Sequence, residues 1–92
     1  MRFVEEERKI CLYDDDNFCG EITYQTKTNN VIVVDHTFVD DKYRGCGYAA
    51  DLVEKVVEYA KRNNLKIIPL CPYVKGKFEK DEKLQEIEYC EE

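Results

Sequence analysis

The sequence of 92 residues lacks the features that mark membrane, secreted and metal-binding proteins. No apolar run approaches the roughly 20 residues that a membrane helix needs. The opening stretch MRFVEEERKI also lacks the apolar core of a secretory signal. There is one histidine, His36, and none of the five cysteines forms a CxxC pair, so no zinc pattern is present. We therefore expect no metal, no membrane partner and a cytoplasmic chain with free thiols.

Basic residues are also in short supply. Lysine and arginine together number 14 against 20 aspartates and glutamates, which gives a net charge of −6. Because nucleic-acid binding needs a basic surface, we expect no nucleic-acid partner. The negative charge is compatible with a cationic substrate such as an amine, although solubility alone explains it at least as well. The length and the 43% hydrophobic content predict one globular domain over residues 1–92.

The first thirty residues have the pattern of an antiparallel hairpin. The stretches ERKICLYD and CGEITYQT alternate apolar and polar residues, and the turn-forming clusters DDDN and KTNN follow them. The next stretch, VIVVDHTFV, is the strongest strand signal, and its continuous β-branched start is typical of a buried strand. It becomes polar from Asp35 onward, as strands often do on approaching a site.

A helix and a second buried strand follow. Apolar residues recur every three or four positions from Ala49 to Ala60, which predicts one apolar helical stripe. Asn63 and Asn64 suit a left-handed C-cap, and KIIPLC is the second strand. The strand–helix–strand order predicts parallel strands with a right-handed crossover.

The two prolines refine this picture. Proline cannot donate a ladder hydrogen bond, so Pro69 is expected where this strand parts from its neighbour. Pro72 suits the first position of a short helix. The predicted fold class is α/β, with an antiparallel N-terminal hairpin followed by a β–α–β unit whose parallel strands splay apart.

The turn before the long helix holds Arg44, Gly45 and Gly47 in the sequence RGCGYA. A helix N-terminus offers unpaired N–H groups and about half a positive charge, which suits a phosphate. Glycines leave the backbone bare, and an arginine adds a permanent cation. The alternative is that the two glycines serve only a tight turn and close helix–strand packing.

Three phosphate motifs compete for this turn. GCGYAA fits the loose dinucleotide pattern G-x-G-x-x-A, but the acidic residue expected about 20 positions later is missing. The nucleotide P-loop is excluded because no G-K-[ST] follows. RGCGYA matches [R/Q]-x-x-G-x-[G/A], the acetyl-CoA signature of the GNAT superfamily of N-acetyltransferases. From Asp35 to about Glu79 the chain resembles small single-domain GNAT-like proteins, which share an HT-x-V strand end and an LCP[FY] strand.

The resemblance implies acetyl-CoA as co-substrate and a set of main-chain contacts to it. The backbone near Thr37 would pair with the pantetheine arm like an added strand, and the N–H groups from Gly45 to Ala50 would hold the pyrophosphate. The implied cofactor-binding residues are Thr37, Phe38, Val39, Arg44, Gly45, Cys46, Gly47, Tyr48, Ala49 and Ala50.

Candidates for the catalytic side chains are Cys71, Tyr73 and His36. Cys71 and Tyr73 are expected at the end of the second parallel strand, facing the gap between the two splayed strands. The resemblance places the thioester of acetyl-CoA in this gap, where either side chain could protonate the leaving sulfur. Cys71 could also act as a nucleophile, but a buried packing role is the stronger interpretation. For Tyr73, half-buried packing is as well supported as catalysis.

His36 is a candidate base near neutral pH, although a structural histidine explains it better. Its spacing predicts that it shares a face with Val34 and Phe38. Asp35 and Glu21 are possible bases on the other face.

The resemblance implies transfer of acetyl from acetyl-CoA to a primary amine of unknown identity, through a ternary complex. Two alternatives remain open at this point. One is a module that binds or senses acyl-CoA without catalysis. The other is a protein-interaction domain that kept the fold and lost the ligand.

Overall fold

A computed structural model describes residues 1–89, which form a five-stranded sheet and its helices. The strands are β1 (Arg2–Glu6), β2 (Lys9–Asp14), β3 (Asn17–Thr28), β4 (Val31–Val39) and β5 (Lys66–Pro69). The helices are α1 (Tyr48–Arg62), α2 (Pro72–Lys80) and α3 (Glu82–Gln85), with a 3₁₀ turn at Asp41–Tyr43. Of the five cysteines, Cys90 lies outside the described residues.

The sheet order follows the chain, β1-β2-β3-β4-β5. The first four strands are antiparallel neighbours and β5 is parallel to β4, which confirms the predicted α/β class. The sequence prediction missed β1, which pairs with β2 from Arg2 opposite Tyr13 to Glu6 opposite Lys9. Short charged strands are common at sheet edges. Such a strand has little of the apolar alternation from which strands are predicted.

One hydrophobic core lies between the sheet and both longer helices. The apolar stripe of α1 is buried as predicted, with Leu52, Val56 and Ala60 fully inaccessible. From α2, Val74 and Phe78 join the same core. The sheet contributes alternate residues from its strands, among them Ile10, Leu12, Ile22, Tyr24, Ile32, Val34 and Ile67. Both longer helices therefore pack on the same face of the sheet.

The end of α1 and the start of α2 follow the sequence signals. Asn64 has φ 57°, in the left-handed region, and the Leu65 N–H donates to the Ala60 carbonyl at 2.8 Å. Pro72 is the first residue of α2, where its missing N–H leaves no bond unmade. Both predictions are confirmed.

The parallel strands separate at Pro69, as the sequence predicted. Register pairs join Val31–Val34 to Lys66–Pro69 and stop there, while β4 continues to Val39. The Val34 carbonyl accepts from the N–H groups of both Leu70 and Cys71, each at 3.0 Å. In the described part of the chain, residues 35–39 therefore have no strand partner on the β5 side of β4.

A β-bulge at Asp35 reverses the alternation along β4. Tyr24 pairs with Val34 and Thr23 with His36, which leaves Asp35 without a register partner. Beyond the bulge, Thr37 lies opposite the buried Ile22, so His36 and Phe38 point to the other face. The prediction that His36 shares a face with Val34 is wrong. Simple alternation cannot anticipate an inserted residue.

The C-terminal part of the described chain covers the outer edge of β5. The Ile67 N–H donates to the Ile87 carbonyl at 2.7 Å, and the Tyr89 N–H donates to the Ile67 carbonyl at 2.8 Å. Leu84 and Ile87 pack against the core. None of the helices within residues 1–89 has the length and apolar character needed to cross a membrane.

Candidate functional site

A cavity of about 530 Å³ opens where the parallel strands part. Three elements surround it: the unpaired end of β4, the turn before α1 with its first residues, and the start of α2. Its lining residues are His36, Thr37, Phe38, Val39, Tyr43, Arg44, Gly45, Gly47, Tyr48, Ala49 and Tyr73. Most of the predicted cofactor-binding residues therefore meet at one place.

Both glycines of the turn are held in the left-handed region, with φ 83° at Gly45 and φ 81° at Gly47. Other residues adopt this conformation only with strain, which explains glycine at both positions. Apart from the adjacent residues of the chain, no atom of residues 1–89 lies within 4 Å of the place where a Cβ would stand at either glycine. Close helix–strand packing, one part of the alternative interpretation, is therefore not the reason for these glycines.

The first turn of α1 presents main-chain donors to the cavity. Gly47 is the N-cap and supplies no side-chain acceptor, and the first backbone bond into the helix runs from the Asp51 N–H to the Gly47 carbonyl at 3.2 Å. Within the described chain, the N–H groups of residues 45–50 donate to no protein acceptor. A helix of 15 residues adds its dipole at this end. Such a group of donors can bind an anion.

Arg44 lies at the rim of this group of donors. Its Nε is 3.1 Å from Asp41 Oδ1 and donates to the Val39 carbonyl at 3.3 Å. Asp40 caps the preceding 3₁₀ turn by accepting from the Lys42 N–H at 3.0 Å. The turn thus brings the guanidinium to the cavity, where its remaining N–H groups can contact a ligand.

Tyr43 is a lining residue that the sequence prediction missed. Its hydroxyl donates to Asp14 Oδ2 at 3.3 Å, and its ring centroid is 6.3 Å from that of Tyr48. A hydrogen bond with the Cys19 thiol, partial burial and nearby Asp14 raise the pKa of Tyr43 to about 12. Its position just before Arg44 is the only signal that could have identified it.

Two predicted residues of the turn do not line the cavity. Cys46 is exposed and Ala50 is half-buried, and of these two residues only the main-chain N–H groups belong to the row of donors described above. The arrangement of main-chain donors in the turn therefore does not depend on the side chain of Cys46.

The three candidate catalytic side chains are only partly brought together. His36, on β4, and Tyr73, which is 40% exposed, both line the cavity. Tyr73 belongs to α2 rather than to the strand end, because β5 stops at Pro69. Cys71 is 8% exposed and lies outside the lining, with its Sγ 3.7 Å from Thr37 Oγ1. These three side chains do not form a triad with one another.

Comparisons with known proteins agree with this architecture. The family model of GCN5-related N-acetyl-transferases matches residues 9–87. A solution structure of a GCN5-like protein from Staphylococcus aureus is 39% identical, with a TM-score of 0.78 over 99% of this chain and 90% of that one. No curated protein matches the sequence.

More distant structures share the fold. A ribosomal-protein-alanine N-acetyltransferase from Brucella melitensis biovar Abortus 2308 is 21% identical, with a TM-score of 0.60 over 91% of this chain and 62% of that one. Tetrahymena GCN5 is 16% identical, with a TM-score of 0.59 over 82% of this chain and 51% of that one. The family match over most of the sequence, the close Staphylococcus structure and the splayed β–α–β unit confirm the resemblance, and the chain belongs to the GCN5-related N-acetyltransferase family.

Proposed function

We propose that the protein binds acetyl-CoA in this cavity and transfers its acetyl group to a primary amine while both substrates are bound. The observation that carries the proposal is the row of unpaired N–H groups at the start of α1, beside the unpaired edge of β4. The first suits a pyrophosphate and the second suits an extended chain with amide groups. Acetyl-CoA carries both in one molecule.

The cofactor would follow the cavity from the helix to the gap. Its pyrophosphate would bind the N–H groups of residues 45–50, with Arg44 at the rim. Its pantetheine arm would lie along Thr37–Val39, where, within residues 1–89, β4 has no strand partner on its β5 side. That path delivers the thioester to the gap beyond Pro69, near His36 and Tyr73, which also line the cavity.

The chemistry needs few side chains. An alkylamine with a pKa near 10 must lose a proton before it attacks, and His36 is the lining residue suited to accept it. The amine nitrogen then bonds to the thioester carbon, and a main-chain N–H near Val39 would stabilise the oxyanion. On collapse the carbon–sulfur bond breaks, the nitrogen loses its second proton to solvent, and Tyr73 protonates the thiolate. Holding both reactants in place supplies much of the acceleration.

The position of Cys71 favours direct transfer over an acetyl-enzyme. A nucleophilic cysteine must reach the thioester, whereas Cys71 is buried behind Thr37 and does not line the cavity. We assign it a packing role. Direct transfer then requires the amine and acetyl-CoA to bind together.

The proposed cofactor site is tested by changing Gly47. A Gly47→Glu variant places a carboxylate in the open space where the pyrophosphate would lie, and should lose the rise in melting temperature that acetyl-CoA causes. Gly47→Gln is the matched control, because it carries the same backbone strain and a similar volume without the charge. We expect it to keep part of the rise. An unchanged shift in Gly47→Glu would refute the location.

One observation favours a second candidate, an acyl-CoA-binding module without catalysis. Within residues 1–89 no carboxylate lines the cavity, which leaves His36 as the one imidazole or carboxylate there that could accept a proton. A thiol assay for CoA released in the presence of a panel of amines and peptides separates the two candidates. A protein-interaction domain would show no thermal response to acetyl-CoA at all.

A further inference from the structure

The face of the sheet opposite the core carries no helix in the described part of the chain. Alternation places Cys11 and Tyr13 of β2, Glu21 and Thr23 of β3, and residues 35, 36 and 38 of β4 on this open face. Both longer helices pack against the other face. The gap between the parallel strands, where the thioester would lie, is at the edge of this open face. His36 and Phe38 belong to the open face and also line the cavity.

Three aromatic side chains cross the open face toward the gap, and we call Tyr13, Phe18 and Phe38 the aromatic ridge. The ring centroids of Tyr13 and Phe18 are 6.0 Å apart in an edge-to-face arrangement. Phe18 and Phe38 stack with centroids 6.1 Å apart and planes 9° from parallel. Phe18 is 40% exposed and Phe38 is 36% exposed. Tyr13 is half-buried. Exposed aromatic rings in contact with one another, as Phe18 and Phe38 are, are typical of a binding surface.

Carboxylates flank the ridge. Asp35, at the bulge beside the gap, accepts from Thr23 Oγ1 at 2.6 Å and from Gln25 Nε2 at 3.4 Å. Within residues 1–89 it forms no ion pair. Glu21, next to Phe38 across the strands, has only Lys9 at 4.0 Å. Lys9 thus partly compensates Glu21, and Arg2 lies 5.3 Å from the centroid of the Tyr13 ring at the far end of the ridge. Asp35, at the end nearest the gap, keeps its negative charge beside the apolar rings, and the chain as a whole carries −6.

The extended shape of the aromatic ridge indicates that its partner is larger than a small molecule. Small-molecule sites are concave and enclose most of the ligand. The ridge instead extends over three strands, β2 to β4, on an uncovered sheet face, and only its Phe38 end lines a cavity. Such a surface buries its aromatic area only against an extended partner.

We propose that the acceptor amine belongs to a basic polypeptide segment with an apolar side chain beside the lysine that is acetylated. The lysine reaches the gap past His36, the neighbouring apolar side chain packs on Phe18 and Phe38, and flanking basic residues face Asp35 and Glu21. This inference rests on the proposed function and names the class of its acceptor. It makes Phe18 and Asp35 residues that determine acceptor specificity.

The test compares matched amines by steady-state kinetics of CoA release. The main probe is the peptide acetyl-Arg-Gly-Lys-Phe-Arg-amide, whose lysine is its only amine. One comparison peptide replaces the phenylalanine with serine, a second replaces both arginines with glutamate, and phenethylamine represents small amines. For the native protein we expect kcat/KM to fall about tenfold when phenylalanine becomes serine, as the loss of one buried aromatic contact predicts. The acidic peptide and phenethylamine should be poorer still.

Variants locate the effect on the surface. Phe18→Ser should remove the advantage of the phenylalanine peptide without changing the KM for acetyl-CoA. Val4→Ser is the matched control, because Val4 lies on the same face but on the edge strand β1.

Asp35→Asn should reduce the difference in kcat/KM between the basic and the acidic peptide. Glu54→Gln on α1, which removes one charge from a remote exposed position, should not.

Two results would overturn the inference: an equal kcat/KM for the phenylalanine and serine peptides, or a higher value for phenethylamine than for either. If no amine is acetylated, amide chemical shifts of the CoA-bound protein decide the matter. The phenylalanine peptide should shift the amides of Phe18 and Glu21 in a saturable manner, and their insensitivity at millimolar peptide would also overturn it. Failure of the proposed function looks different, because acetyl-CoA would then leave the amides of residues 44–50 unmoved.

Discussion

Tyr43 links the turn before α1 to the turn between β2 and β3. Its hydroxyl contacts Asp14, and its ring packs beside Tyr48 at the mouth of the cavity. Because the thiol of Cys19, partial burial and Asp14 all disfavour a phenolate, the phenol stays neutral well above its ordinary range. The neutral phenol adds no negative charge beside Arg44, which pairs with Asp41 through its Nε.

We therefore expect the hydroxyl of Tyr43 to lose its proton at a higher pH than an ordinary tyrosine does. Its pKa is about 12 in the folded protein and about 10 in the unfolded chain. The neutral form is the one that folding favours, so this contribution to stability is fully present below about pH 10 and is lost as the pH rises toward 12. The measurement is the phenolate ultraviolet absorbance of the native protein minus that of Tyr43→Phe. The same difference in urea should have its midpoint near 10, and a native midpoint there would contradict the prediction.

At the scale of elements, α2 closes the core below the gap. Its helical propensity is interrupted by Gly76, yet the helix spans nine residues from Pro72 to Lys80. Val74 and Phe78 are fully buried in the core that α1 shares. Tertiary packing therefore stabilises this helix, and the helix in turn places Tyr73 at the cavity.

Removal of the aromatic anchor of α2 should destabilise the whole protein. Phe78 is 1% exposed, so Phe78→Ala is expected to cost about 3–5 kcal/mol in the free energy of unfolding, measured by urea titration. Phe18→Ala is the matched control at an exposed phenylalanine and should cost about 1 kcal/mol or less.

Small domains have little stability to spare, so Phe78→Ala could fail to fold. Phe78→Leu then supplies the comparison, with an expected cost below about 1.5 kcal/mol if the core repacks. Equal losses at Phe78 and Phe18 would show that α2 is not anchored in the core.

At the scale of the whole molecule, the sheet and helices share one core, which argues for one cooperative unit. Far-ultraviolet circular dichroism and tyrosine fluorescence should give coincident urea transitions. Acetyl-CoA at about 100 times its dissociation constant should raise the free energy of unfolding by about 2.7 kcal/mol. Separate transitions for the two probes would show that the β1–β3 meander unfolds independently of the β–α–β unit.

Features that depend on neighbours along the chain could be read from the residues alone. The stripe of α1, the left-handed cap at Asn64, the stop of β5 at Pro69 and the start of α2 at Pro72 all follow from local backbone chemistry. The RGCGYA motif identified the family for the same reason, because its glycines need a left-handed backbone and its residues are contiguous.

Contacts between side chains from distant parts of the chain depend instead on the folded structure. The bulge at Asp35 is defined by pairing with β3, and it turned His36 away from the core. Tyr43 lines the cavity and its hydroxyl donates to Asp14, which lies 29 positions earlier in the chain. The aromatic ridge forms only when three strands are in register. These contacts depend on strand register, which is set by the best burial of the whole sheet, and no local pattern encodes it.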